Sequence, residues 1–144
     1  MKRLIVILAG LALVASLAAG GFAATAKAPK SAKIMIRHQL RGCHTWSVNG
    51  GAYRATIGTS LARGGTITFT NDDVMPHKLV RTSGPAIHFV GKPNMNHMAA
   101  TVKVRFSKAG LYRFTTKAGE DYQSMRGMKT IGEDNVLRLT VRVS

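Results

Sequence analysis

The sequence predicts an all-β protein, a Greek-key sandwich of two sheets, on three observations. Apolar and polar residues alternate with little interruption from residue 33 onward, β-branched residues dominate these runs, and clusters of Gly, Asn, Asp and Pro break them at short intervals. After the first 26 residues no apolar stripe recurs at helical spacing, so the short strands have only one another to pack against.

Strands are expected at 33–38, 43–48, 53–58, 66–70, 77–82, 87–90, 101–106, 111–117 and 136–143. The run 66–70 is the clearest: Ile67 and Phe69 alternate with threonines, and Asn71-Asp72-Asp73 follows with side chains that bond nearby backbone and end the strand. Pro76 fixes φ just ahead of His77, so this imidazole is presented on stiff backbone as the next strand opens. Two segments resist the strand pattern. Residues 91–100 form a connection bearing Met95, His97 and Met98, which together with Met75 make a secondary thioether and imidazole cluster of the kind that captures Cu(I). Residues 118–135 form a loop long enough to suggest function or disorder. All six acids occur as three adjacent pairs, Asp72-Asp73, Glu120-Asp121 and Glu133-Asp134, each in a loop, and read either as turn and capping residues or as part of functional loops at one rim of the sandwich.

Met1-Lys2-Arg3 and the apolar run from Leu4 to Ala19 have the form of a secretory leader, and Ala24-Thr25-Ala26 offers a small-x-small cleavage site. Residues 1–26 are expected to be a signal peptide, cleaved or kept as a membrane anchor. Residues 27–32 then make an Ala/Lys/Pro linker and 33–144 a single domain, which is exported and periplasmic, cell-surface or secreted. In that oxidising setting the lone Cys43 has no intramolecular disulfide partner, and Cys43-His44 lacks the second cysteine of a haem-attachment motif.

The chain carries 21 Lys and Arg against 6 Asp and Glu, a surface attractive to polyanions. Outside the cytoplasm these are anionic envelope components or an acidic protein. Nucleic acid is not expected, because no basic and aromatic interleaving accompanies the charge. The sequence has neither a nucleophile elbow nor H-E-x-x-H, so it does not read as an enzyme.

Thr68-Phe69-Thr70-Asn71, with Pro76-His77 after it, resembles the strand and turn that carry the first copper histidine of the cupredoxins. Gly110-Leu111-Tyr112-Arg113-Phe114, followed by a loop and the run 136–143, is similar to the last two strands of that family, and the resemblance covers roughly residues 60–144. It implies a copper site of one thiolate, two imidazoles and a weak thioether, a set that suits both oxidation states. The chain departs from the family where the cysteine should stand, at Thr116, and residues 117–135 contain no histidine. What the resemblance implies is then a rearranged set: Cys43 as thiolate, His77 and either His44 or His38 as imidazoles, and Met125 or Met128 as thioether. On a regular strand Cys43 and His44 point to opposite faces, so both reach one metal only if the backbone bends near Gly42. Trp46 reads most simply as the large core residue of its sheet, or else as a roof over such a site. The function implied is electron transfer or copper handling, with an acidic redox protein or a copper donor or acceptor as partner. The alternative is a metal-free sandwich held electrostatically to anionic envelope components.

Overall fold

The alternating runs pair into two five-stranded mixed sheets in the computed structural model, which describes residues 27–38, 44–117 and 136–144. The strands are β1 (Ser31–His38), β2 (His44–Val48), β3 (Thr56–Leu61), β4 (Thr66–Asp72), β5 (His77–Ser83), β6 (His88–Val90), β7 (Asn94–Met95), β8 (Thr101–Arg105), β9 (Gly110–Lys117) and β10 (Arg138–Val143). One sheet has the order β2-β1-β4-β8-β6 and the other β3-β10-β9-β5-β7, so the chain crosses between layers at nearly every connection. β1 runs parallel to β4 and β10 parallel to β3, while the other pairs are antiparallel. The two-sheet sandwich expected from the alternation is what forms.

Period-two alternation decides which side chains enter the interior. β1 sends in Ala32, Ile34 and Ile36, β4 sends Ile67 and Phe69, β9 sends Tyr112 and Phe114, and β10 sends Leu139, Val141 and Val143, all at most 4% exposed. Each large apolar side chain buried in this way stabilises the fold by about 1.5 to 3 kcal/mol before entropy is counted. Trp46 is fully buried among them, and its indole N–H donates to the Ala55 carbonyl at 3.1 Å. It is therefore a core residue rather than a roof over the rim.

Several boundaries differ from the sequence expectation. The strand placed at 53–58 lies at Thr56–Leu61, because Arg54 is taken up in an isolated bridge to Trp46 and Arg138 pairs with Thr56. Asn71-Asp72-Asp73 does not stop β4 at residue 70: Asn71 and Asp72 continue the parallel pairing with Ile36 and Arg37, and Arg37 donates twice to the Asp72 carboxylate. The connection 91–100 contains the short β7, whose Met95 pairs with His77 and is fully buried. Met95 thus fills the core and takes no part in a surface cluster, while Met98 is half exposed and the His97 ring donates to the Met98 carbonyl.

The sandwich has two unlike poles. One is closed by backbone hydrogen bonds that tie Pro29 and Lys30 to Ala62 and Thr66, and Ser144 to Arg63 and Leu61. The other is the rim where β1 ends and β2 and β5 begin.

Candidate metal centre

The inward stripes of four strands end at the rim in polar residues. Ile34 and Ile36 are followed by His38, Trp46 is preceded by His44, Phe69 leads to Asn71 and Asp73, and Leu79 is preceded by His77. Strand parity thus carries these side chains to the mouth between the sheets. His44 is 2% exposed and His77 and Asp73 at most 1%, whereas His38 is exposed.

Asn71 builds the frame of this mouth. Its side-chain amide donates to the carbonyls of Met75 and Met95, at 2.9 and 3.3 Å, and its oxygen accepts from the Asp73 N–H at 3.0 Å. Asp73 in turn accepts from the Met75 N–H at 3.0 Å. Residues 71–77 are therefore a braced turn that fixes both the carboxylate and, beyond Pro76, the His77 ring.

One oxygen of that carboxylate joins two imidazoles. Asp73 Oδ2 lies 2.8 Å from His44 Nδ1 and 3.2 Å from His77 Nε2. A carboxylate oxygen only accepts, so each of these nitrogens donates its N–H. The rings stand edge to face, with centroids 4.7 Å apart. Burial by itself would raise the Asp73 carboxyl, but the hydrogen bonds from His44, His77 and the Met75 N–H outweigh it and hold the group well below the ordinary carboxylate range.

The tautomers follow from these bonds. A neutral imidazole that donates from one nitrogen keeps its lone pair on the other, so His77 offers Nδ1 and His44 offers Nε2. His77 Nδ1 is fully buried and has no hydrogen-bond partner among the described residues. A buried polar nitrogen left in that state is costly, and a metal ion is one species that would satisfy it. An imidazole held by a carboxylate through its second nitrogen is the usual outer support of a metal-bound histidine. Ligand atoms of His38, His44 and Asp73 also lie within 4.8 Å of one another, and the His38 and His44 ring centroids are 6.0 Å apart.

Of the candidates drawn from sequence, His38, His44 and His77 come together here. Cys43, Met125 and Met128 lie outside the described residues, as does the leader. Their flanks do reach the rim: Cys43 directly precedes His44, and β9 ends at Lys117, paired with Lys78 beside His77. Thr116 occupies the inner face opposite Leu79, where the cupredoxin resemblance expects cysteine. Sequence alone gives Asp73 no role as a partner of the imidazoles. Its position four residues before His77 and two after an inward Asn was the signal available, but the second imidazole it holds comes from β2.

No family model and no curated protein matches the chain. Among solved structures it is similar to a purple cupredoxin from Nitrosopumilus maritimus, at 23% identity and TM-score 0.44 over 78% of this chain and 99% of that one. It is similar to an oxidized amicyanin variant, at 16% identity and TM-score 0.40 over 78% and 82% of the two chains. A multicopper oxidase is matched at 12% identity and TM-score 0.41 over 82% of this chain and 45% of that one. The chain is similar to the cupredoxins in being a two-sheet β-sandwich, and what its rim can do rests on the rim residues themselves.

Proposed function

We propose that the protein is an exported, cupredoxin-like metal binder that holds one copper ion at this rim, for electron transfer or copper handling rather than for chemistry on a substrate. The observation that carries this reading is the buried His77 Nδ1, without a partner among the described residues, on a ring whose Nε2–H is held by Asp73. His77 Nδ1 and His44 Nε2 would be the imidazole donors. Cys43, next to His44, would supply the thiolate, and Met125 or Met128, from the segment that follows β9, the thioether. His38 is the exposed alternative to His44 and stands where an ion would enter. Copper, when bound, would supply one-electron redox chemistry.

The protein's own contribution is rigidity. Asn71 and Asp73 fix the turn and the tautomers before any ion arrives, so little rearrangement has to accompany binding. The mouth is lined by buried groups, which keeps water from competing for the same donors.

Titration of purified protein with copper, followed by absorption and elemental analysis, tests this. One equivalent of copper and a thiolate-to-copper band are expected, with the band lost in Cys43→Ser and the copper itself lost in His77→Ala. Copper bound without a band would remove Cys43 from the ligand set. No bound copper would reject the reading.

A further inference from the structure

The second sheet carries an unbalanced charge on its outer face. There its strands present Lys78, Arg113, Lys117, Arg138 and Arg142 and no carboxylate, Arg81 standing on the other parity opposite the inward Phe114, whereas the first sheet bears Lys33, Arg37, Lys103 and Arg105 with Asp72 among them. Among the described residues, Arg138 and Arg142 make no side-chain hydrogen bond or ion pair, and Arg113 reaches only the Ser83 hydroxyl at 3.5 Å. Like charges collected on one sheet face repel, and among the described residues no carboxylate pairs with Arg113, Arg138 or Arg142.

The face is also recessed. A cavity of about 360 Å³ is lined by Arg113, Arg138 and four threonines, over a floor that includes Phe114, Val136 and Leu139. Arg113 pairs with Thr140 across β9 and β10, so Arg138, Arg113 and Arg142 zigzag along the strand direction with a spacing of roughly 8 Å between successive Cα positions.

We propose that this groove binds the phosphate groups of a linear polyanion, with Arg113 and Arg138 as the principal contacts and the threonine hydroxyls as additional donors. Guanidinium forks and hydroxyls match phosphate oxygens, and a row of cations matches a chain of repeating charges. A bilayer surface fits less well: among the described residues the large apolar side chains exposed here are Leu111 and Val136, and none of them is aromatic. Among the described residues of this face there is likewise no exposed aromatic platform on which nucleic-acid bases stack. This site is on the flank of the sandwich and does not depend on metal at the rim.

The test is binding of long-chain inorganic polyphosphate to the purified protein at several salt concentrations. The double variant Arg113→Gln, Arg138→Gln is expected to bind about tenfold more weakly at low salt and to lower the salt slope by about two. The control pair Lys103→Gln, Arg105→Gln, on the other sheet, is expected to change affinity less than twofold. Equal weakening by both pairs would mean diffuse charge attraction and would overturn the site. Tighter binding to phosphatidylglycerol vesicles or to single-stranded DNA than to polyphosphate, lost in the same variant, would overturn the choice of ligand. Should the double variant melt early, the single substitutions at these exposed positions carry the same comparison.

Discussion

Replacing Asp73 with alanine removes the acceptor shared by two buried imidazole N–H groups and by the Met75 N–H. Each buried donor that loses its acceptor costs about 1 to 3 kcal/mol. Counting only the two rings gives a loss of roughly 2 to 6 kcal/mol, a large part of the 5 to 15 kcal/mol typical of a domain. Urea unfolding of the metal-free protein should register this as a midpoint lowered by about 2 M at an ordinary m-value. Asp73→Asn should fall between, since an amide oxygen placed where Oδ2 stands still accepts from both rings, while the amide NH2 then faces the Met75 N–H that Oδ1 had accepted. Copper affinity should drop about 10- to 100-fold in both variants, as for other outer supports of metal-bound histidines. An alanine variant within about 0.5 kcal/mol of the parent, with copper affinity unchanged, would refute the tautomer argument on which the metal centre rests.

The pH dependence has a definite sign. Because the Asp73 carboxyl is depressed in the folded state, its contribution is fully present above the unfolded carboxylate value of about 4 and is lost as pH falls towards the lower folded value. Metal-free parent protein should therefore lose stability below about pH 4, and Asp73→Asn should lack that part of the acid leg in parallel urea titrations. At a separate position, Gly84 has φ +104°, and a Cβ there would meet the Leu111 carbonyl oxygen at 2.5 Å and Tyr112 Cα at 2.8 Å. Gly84→Ala should cost about 2 to 4 kcal/mol in the same unfolding assay with no change in copper stoichiometry.

The strands were legible because alternation is a local property: Thr66 to Phe69 or Leu139 to Val143 declare their inner faces without reference to any neighbour. What stayed hidden depends on partners distant in sequence. The two residues of β7 have no periodicity of their own and form a strand only because His77 and Lys78 lie alongside. β4 runs on through Asn71 and Asp72, residues that usually end strands, because β1 continues beside it and Arg37 meets the Asp72 carboxylate. His77 could be singled out from its Pro-stiffened turn. Asp73 could not, since its turn-capping bond to Met75 is the ordinary role of such a residue and its bond to His44 spans 29 positions. The absence of a cysteine at Thr116 was plain from the start, yet sequence alone had no way to show that three histidines gather at the same end.

The direction of β1 has a practical meaning. It leaves the closed pole at Ser31 and arrives at His38 after seven steps of about 3.3 Å, so whatever is joined ahead of residue 31 sits some two nanometres behind the histidines. Ser144 ends at that same base, its carbonyl bound to the Arg63 N–H at 2.6 Å. A lipid tether, an immobilising tag or a fused reporter joined at Ser144 would thus act as a pedestal, leaving from the pole opposite the buried imidazoles.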